Sequence, residues 1–253
     1  MKITENDVIF KHKDQVKFSE VDKDKRLGIR GILNYFQDVS EMQSSSLGTG
    51  YLTLDKTKCI WIINSWQIQI KKRPILGDTI YSATAPHKIK GIEGDRNFFI
   101  LGEDGEVYVN ANSIWSFYDR EKQTLMRVPK SQYDAFKLAE PYPMDYEPRR
   151  INIRNTDLKD YIKDDEFKVR YSMTDMNDHM NNSQYAIISS DYIRRDYKYD
   201  QLRVEYARMA LLDDKVIVRH YEDEERYIII LCNENDDIFS ISEFKDLGLA
   251  KES

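Results

Sequence analysis

Cysteine is nearly absent from this sequence, which contains only Cys59 and Cys232. Two thiols so far apart in the chain do not suggest a disulfide framework or a metal site. Long apolar runs are also missing: the longest, 227–232, has the length of a strand, whereas a membrane-spanning helix needs about 18 residues. We therefore expect a globular protein that has no metal, needs no cofactor and does not bind a membrane.

An excess of positive charge is missing as well. The formal net charge is −6 at pH 7, and a nucleic-acid partner usually requires a basic surface. The first residues, MKITEND, include acidic residues and no apolar segment, so they do not look like a targeting peptide. We expect a cytoplasmic protein with no nucleic-acid partner.

Two local basic clusters stand out against this acidic balance. One is Lys71, Lys72 and Arg73, and the other is Arg194 and Arg195. Either cluster is a candidate docking patch for an acidic partner. The alternative is that both are ordinary solvated surface, which is the usual role of clustered charges.

Proline is sparse over most of the chain, yet four of the six prolines occur between positions 129 and 148. The stretch 129–165 is also rich in charge and poor in apolar periodicity, which is typical of a linker between domains. We therefore predict an N-terminal unit over 1–128, a linker over 129–165 and a C-terminal unit over 166–253.

The two predicted units resemble each other. Residues 16–22 (VKFSEVD) match 169–175 (VRYSMTD) without a gap, and 68–80 align with 204–216 in the same order. Matched blocks of this kind indicate duplication of one structural unit. In each copy a helical stretch is followed by several strands, which predicts an α+β fold with a sheet covering a long helix.

Chemically useful residues concentrate in the second copy, at 175–182 (DMNDHMNN). Asp175, Asn177 and His179 are spaced by two residues, so on an extended backbone their side chains share one face. The residues that follow are of the type that caps a helix: Asn181, Asn182 and Ser183. We expect an extended segment that leads into a helix N-terminus, with a carboxylate, an amide and an imidazole side by side.

Two other interpretations of this segment are open. Asp and Asn side chains before a helix also form Asx turns and caps, and a lone His is often only hydrogen-bonded. A metal site would use Asp175, Asp178 and His179, but on an extended strand Asp178 faces away from the other two. We disfavour the metal site for that reason.

The first copy lacks this chemistry. Its matching residues are Asp22, Asp24 and Arg26, and a permanently charged guanidinium cannot act as a base. The three side chains are expected to form an internal salt bridge, so we predict one active site per chain.

The motif Asp-x-Asn-x-His-x-Asn-Asn at 175–182 resembles the second-half signature of the acyl-ACP thioesterases, which hydrolyse fatty acyl chains from acyl carrier protein (ACP). The first half carries further similar features: the run 30–38 (RGILNYFQD), Trp61, Trp66 and the segment 73–78. The chain looks like a bacterial member that is similar to the plant enzymes. The resemblance implies a double hotdog fold, with two hotdog units packed as a pseudo-dimer in one polypeptide.

The resemblance also implies a mechanism. Asp175, Asn177 and His179 would be catalytic, with His179 accepting a proton near neutral pH. The N–H groups of 181–183 would stabilise the oxyanion, and water would attack directly because neither cysteine matches a site position. ACP would be the acidic partner of one basic cluster, and a homodimer is compatible with the duplication.

The first unit is then expected to hold the acyl chain. Its candidate pocket residues are apolar and lie on or near the predicted helix: Ile32, Leu33, Phe36 and Trp61. The alternative is that these residues only form the core, because apolar residues at helical spacing usually do.

One position departs from the family pattern. After the strand at 203–208 the family usually places a Glu that binds or activates water, followed in the plant enzymes by a Cys; here these positions are Met209 and Ala210. The Gly-Asp turn that follows is replaced by Asp213 and Asp214. We expect an acyl-ACP thioesterase, with a non-hydrolytic or weakly active acyl-binding protein as the alternative.

Overall fold

The computed structural model describes residues 10–153 and 161–250. They divide into two compact units. The first extends to Tyr146, and the second runs from Glu147 to Leu249 and also includes Ser65–Gln67. None of the described helices is long and apolar enough to cross a membrane.

The first unit combines one long helix with an antiparallel sheet. Its helices are α1 (Ile29–Ser46), α2 (Tyr51–Lys56) and α3 (Lys130–Ala135). Its strands are β1 (Phe10–Gln15), β2 (Cys59–Ile70), β3 (Thr79–Lys90), β4 (Glu93–Leu101), β5 (Val107–Asp119) and β6 (Thr124–Leu125). The order across the sheet is β1-β3-β4-β5-β2, and β6 pairs with β5.

Helix α1 forms because its apolar side chains recur every three or four residues and can be buried together. Ile32, Leu33 and Phe36 are completely buried. The ring of Phe36 packs against Phe98 of β4, with ring centroids 5.1 Å apart. This contact places the core of the unit between α1 and the sheet.

The second unit repeats this plan with a shorter helix, α4 (Asn182–Asp191). Its strands are β7 (Ile162–Lys168), β8 (Gln201–Tyr206), β9 (Lys215–Glu222), β10 (Tyr227–Cys232) and β11 (Ile238–Lys245). Their order is β8-β11-β10-β9-β7, with all neighbours antiparallel. Strand β10 is buried along its whole length because neighbouring strands and the helix cover it.

A charged cluster is buried in the sheet of the second unit. Glu243 is 1% exposed and accepts hydrogen bonds from Arg203 at 2.8 Å and Arg226 at 2.7 Å. Burial raises the pKa of this carboxyl, but the two guanidiniums and Lys245 outweigh it and lower the pKa overall. The carboxylate is therefore charged in the folded protein.

The described residues of the predicted linker over 129–165 belong partly to the first unit and partly to the second. Tyr142 packs edge-on against Phe99 of the first unit at 5.1 Å, and its N–H donates to Asn97. Ile151 is buried in the core of the second unit. The structure divides the units after Tyr146, and β7 begins at Ile162, inside the predicted linker. Prolines interrupt helices and strands, but they do not prevent apolar side chains nearby from packing, so a proline-rich stretch can still be part of a folded unit.

Candidate active site

The segment around His179 is a tight loop and not the extended strand expected from the sequence. Thr174 and Met180 pair across the loop. Inside it, the N–H of Asp175 donates to the carbonyl of His179 at 2.9 Å, and the N–H of Asp178 donates to the carbonyl of Asp175 at 3.1 Å. Asp178 has a φ of 60°, the left-handed conformation, which reverses the chain direction.

The side chain of Asp175 stabilises this loop. Its Oδ1 atom accepts the N–H of Asn177 at 2.8 Å, which is an Asx turn. The prediction that Asp175, Asn177 and His179 project from one face of a strand is wrong, because the chain folds back directly after Asp175. All three side chains are half-buried, and no described residue forms a side-chain hydrogen bond with the imidazole.

Helix α4 begins directly after the loop and is capped by Asn181. The Oδ1 atom of Asn181 accepts the N–H of Ser183 at 2.9 Å and its hydroxyl at 2.8 Å. The N–H of Asn181 itself donates to the carbonyl of Met173 at 2.8 Å. Two of the three N–H groups predicted to stabilise an oxyanion are therefore occupied within the protein.

The third group, the N–H of Asn182, donates to no acceptor in the described part of the chain. It belongs to the first residue of α4, where the unpaired N–H groups and the helix dipole create a partial positive charge. Asn182 is thus the available donor for an anion at this end of the helix.

The segment 209–211 follows β8 and is called the strand end below. It runs beside the loop. His179 pairs with Leu211 in an antiparallel bridge, and the N–H of Met180 donates to the carbonyl of Ala210 at 2.9 Å. Met209 lies two residues before Leu211, the partner of His179, and it is 43% exposed.

The first unit contains the same loop with different side chains. The N–H of Asp22 donates to the carbonyl of Arg26 at 2.8 Å, and the N–H of Lys25 donates to the carbonyl of Asp22 at 3.0 Å. Oδ1 of Asp22 accepts the N–H of Asp24 at 2.9 Å, and Lys25 has a φ of 61°. The two loops therefore share their main-chain hydrogen bonds, with Arg26 in the position of His179.

The salt bridge expected within the first loop is not formed. Asp22 uses its carboxylate on main-chain N–H groups, and Asp24 pairs with Lys23 at 2.9 Å. Both carboxylates thus have partners other than the guanidinium of Arg26.

The predicted pocket residues lie in or beside the core of the first unit. Ile32, Leu33 and Phe36 are completely buried, whereas Trp61 is partly exposed. Trp61 packs edge-on against a phenylalanine ring at 5.0 Å, and its Nε1–H donates to Gln132 at 3.3 Å. That these residues line an acyl tunnel stays a prediction.

The two basic clusters differ in how they are bonded. Lys71 and Lys72 donate to tyrosine hydroxyls, and Arg73 donates to a main-chain carbonyl, all within the first unit. Arg194 and Arg195 are exposed and follow the end of α4. Arg194 forms ion pairs with Asp196 and Glu222. It also lines a surface cavity of about 690 Å³ whose lining includes both basic and acidic side chains. Docking of a partner at either cluster stays a prediction.

Comparison with known proteins decides the family. Residues 7–136 match the family model of the acyl-ACP thioesterase N-terminal domain, and residues 156–240 match that of the C-terminal domain. The chain belongs to the acyl-ACP thioesterase family. The resemblance inferred from the sequence is confirmed.

Curated plant members of the acyl-ACP thioesterase family are similar to much of this chain. "Acyl-[acyl-carrier-protein] hydrolase FATB3, chloroplastic" from Cuphea viscosissima is 25% identical over 191 residues, which cover 70% of this chain and 45% of the relative. "Oleoyl-acyl carrier protein thioesterase 1, chloroplastic" from Arabidopsis thaliana is 27% identical over 236 residues, which cover 85% and 64%. The chain thus spans about half to two thirds of the length of these relatives.

Solved structures of acyl-ACP thioesterases have the same fold. The structure of an acyl-ACP thioesterase from Bacteroides thetaiotaomicron has a TM-score of 0.85 at 19% identity, covering 96% of this chain and 99% of that one. The 12:0-ACP thioesterase from Umbellularia californica has a TM-score of 0.78 at 17% identity, covering 96% and 98%. The predicted α+β fold of hotdog type is confirmed.

Two tyrosines beside the loop were missed in the sequence. The hydroxyl of Tyr185 accepts the N–H of Ala210 at 2.9 Å, and the hydroxyl of Tyr206 donates to the carbonyl of Asn182 at 2.8 Å. A signal was available, because the matching positions in the first copy are isoleucines. Tyrosine in place of a buried aliphatic residue usually marks a hydrogen bond.

Proposed function

We propose that this acyl-ACP thioesterase hydrolyses the thioester that joins a fatty acyl chain to acyl carrier protein. The observation that carries the proposal is the exchange of Arg26 for His179 between two loops with the same backbone. The exchange supplies a side chain that can accept a proton, next to the N-terminus of α4. The relatives' names, hydrolase and thioesterase, support the same reaction and the same carrier.

In the proposed reaction, water is the nucleophile. The neutral imidazole of His179 removes a proton from the water as its oxygen attacks the thioester carbon. The carbonyl oxygen becomes an oxyanion, which the N–H of Asn182 and the end of the helix dipole stabilise. The C–S bond then breaks, the carrier thiolate takes the proton from the imidazolium, and the products are a free fatty acid and a free thiol.

Asp175 and Asn177 support this chemistry from within the loop. The Asp175 carboxylate fixes the loop that carries His179, through its hydrogen bond to the N–H of Asn177. The amide of Asn177 is half-buried in the same loop, and we assign it to binding the thioester carbonyl or the attacking water. Both residues thus act in the orientation of the reactants.

The two cysteines are placed away from this loop. Cys232 is buried in β10, and burial raises the pKa of its thiol, which disfavours the reactive thiolate. Cys59 lies at the start of β2 with its Sγ 3.4 Å from the carbonyl of Thr57. Direct attack by water is therefore the simpler mechanism.

A second function is supported by one residue. Met209 stands where the resemblance places a carboxylate that binds or activates water, and a site without that group is suited to binding an acyl chain without rapid hydrolysis. Under this alternative the protein is a non-hydrolytic or weakly active acyl-binding member of the family.

The cytoplasmic location and the homodimer expected from the sequence stay predictions.

The two functions are separated by measuring hydrolysis and binding together. Purified protein is incubated with acyl-ACPs of several chain lengths, while released thiol and free fatty acid are quantified and complex formation is followed. The thioesterase proposal predicts equal amounts of thiol and fatty acid, and loss of both in His179→Ala. Complex formation without release of thiol would contradict it and favour the binding protein.

A further inference from the structure

Two tyrosines, the buried Tyr185 and the partly exposed Tyr206, connect the His179 loop to helix α4 and strand β8, and isoleucines occupy both matching positions of the first unit. In the duplicated register Tyr185 corresponds to Ile32, and Tyr206 corresponds to Ile70. The two tyrosine rings pack edge to face with centroids 5.6 Å apart. Both polar contacts therefore occur only in the unit that carries the histidine.

Tyr206 holds the first turn of α4. Its hydroxyl donates to the carbonyl of Asn182 at 2.8 Å. The peptide group of that carbonyl also contains the N–H of Ser183, which Asn181 accepts at 2.9 Å. The carbonyl and the N–H of the peptide between Asn182 and Ser183 are thus both hydrogen-bonded. Fixing this peptide also orients the one before it, which carries the N–H of Asn182, the available donor at this end of the helix.

Tyr185 holds the strand end beside the loop. Its hydroxyl accepts the N–H of Ala210 at 2.9 Å, and the carbonyl of Ala210 accepts the N–H of Met180 at 2.9 Å. In the first unit Pro74 stands at the position of Ala210 and has no N–H to donate. The hydroxyl of Tyr185 therefore links α4 to the segment that pairs with His179.

Both hydroxyls keep their protons at neutral pH. Burial raises the pKa of Tyr185 to about 12; its hydrogen bond to Ala210 opposes this rise, and the carboxylate of Asp175 adds to it. Desolvation of its hydroxyl raises the pKa of Tyr206 as well. The two side chains are suited to act as fixed hydrogen-bonding groups and not as bases.

We propose that Tyr206 and Tyr185 are positioning residues that hold the N–H of Asn182 where the thioester oxyanion forms. The inference rests on the proposed hydrolysis. An oxyanion donor must lie about 2.7–3.1 Å from the developing charge, so a small rotation of the first peptide of α4 weakens it. Tyr206 restrains that turn directly, and Tyr185 restrains it through the strand end that holds Met180.

Phenylalanine variants test this role because they remove only the hydroxyl. Tyr206→Phe and Tyr185→Phe are compared with Tyr35→Phe, a matched control in the first unit. Tyr35 is buried and its hydroxyl donates to the carbonyl of Gln15 at 3.0 Å. For each variant kcat and KM for acyl-ACP hydrolysis are measured together with the thermal unfolding temperature.

We expect the three variants to lose similar, small amounts of thermal stability. Tyr206→Phe should lower kcat by about tenfold or more and leave KM within about twofold, because the donor acts in the transition state. Tyr185→Phe should lower kcat by a smaller factor, since it acts through the strand end. Tyr35→Phe should leave kcat unchanged.

Two results would overturn the inference while leaving the hydrolysis intact. One is a wild-type kcat in Tyr206→Phe. The other is an equal loss of kcat in Tyr35→Phe, which would assign the effect to general loss of stability. Absence of hydrolysis by the wild-type protein is a different result, because it overturns both the proposed function and the positioning role.

Discussion

Arg26 and His179 occupy the same position of two loops that have the same main-chain hydrogen bonds. The carbonyl of Arg26 accepts the N–H of Asp22 at 2.8 Å, and the carbonyl of His179 accepts the N–H of Asp175 at 2.9 Å. Because the backbones match, the two units differ here in the chemistry of the side chains. The first loop therefore provides a matched control for substitutions in the second.

Asp175→Asn should keep the loop folded while removing its charge. The amide oxygen of Asn can accept the N–H of Asn177 as the carboxylate does, so the free energy of unfolding should change by less than about 1 kcal/mol. Asp175→Ala removes the acceptor and should cost about 1 kcal/mol. Urea unfolding measures both, and Asp22→Asn and Asp22→Ala should follow the same order. A larger loss for Asn than for Ala would contradict this account.

Met209→Glu should increase the rate of hydrolysis. Met209 is 43% exposed, so a carboxylate there stays hydrated and can bind water. In the first unit the residue that corresponds to Met209 is Arg73, which donates to the carbonyl of Leu27 at 3.0 Å. Leu27 follows Arg26 directly, so a side chain at this position can extend to the loop. We expect kcat to rise about tenfold.

Met209→Gln is the control for this substitution, because the side chain of Gln has nearly the same shape as that of Glu and carries no charge. Its kcat should stay at the wild-type value in the same assay. If Glu and Gln raise kcat equally, the missing carboxylate is not what limits the reaction.

Asp213→Gly should stabilise the second unit. Asp213 has a φ of 68°, and the matching residue of the first unit is Gly77 with a φ of 90°. A left-handed conformation costs a residue with a Cβ about 1 kcal/mol, somewhat less for Asp, whereas glycine adopts it freely. Urea unfolding should show a gain of about 0.5 kcal/mol, and Gly77→Ala should show a loss. A less stable Asp213→Gly variant would argue against backbone strain here.

Glu243→Gln should destabilise the protein and change its response to acid. The folded pKa of Glu243 lies below its ordinary value, so its stabilising contribution is complete above about pH 5 and is lost as the pH falls through the folded pKa. The variant removes the nearest carboxylate from Arg203 and Arg226, whose other ion pairs, with Glu147 and Asp223, are longer at 3.6 Å, and this should cost about 3 kcal/mol at pH 7. Urea unfolding at pH 7, 5 and 3 measures both effects.

The difference between wild type and Glu243→Gln should shrink as the pH falls below about 5, because the carboxyl of the unfolded chain takes up a proton first and the folded carboxyl follows only at its lowered pKa. Asp24→Asn, at an exposed ion pair with Lys23, should have a much smaller effect at every pH. A constant difference across this range would contradict a lowered pKa for Glu243 in the folded protein.

The central elements of the fold could be predicted from the sequence because their apolar patterns are strong. The edge strands could not. Strands β1 (FKHKDQ) and β7 (IKDDEFK) are charged along their length, as edge strands often are, which discourages pairing with other chains. Their pairing with β3 and β9 depends on main-chain hydrogen bonds between distant residues, and the side-chain pattern does not reveal these bonds.

A cluster of Asp, Asn and His before a helix could be predicted from the sequence, but the local geometry of its loop could not. A spacing of two residues suggested an extended segment, whereas Asp175 forms an Asx turn and Asp178 adopts the left-handed conformation. In the first loop the left-handed position is occupied by Lys25, which is not a typical residue for it. The turn therefore follows from the hydrogen bonds of the whole loop and not from any one side chain.

The most direct test compares the hydrolysis of acyl-ACP by His179→Ala, Arg26→Ala and the wild type. Thermal unfolding is measured first, to establish that the three proteins are equally stable. Both substitutions truncate the same position of matching loops, and only one removes a base. We predict that His179→Ala lowers kcat by about 10² or more, whereas Arg26→Ala keeps the wild-type kcat. Full activity in His179→Ala, or an equal loss in Arg26→Ala, would contradict a single active site at the second loop.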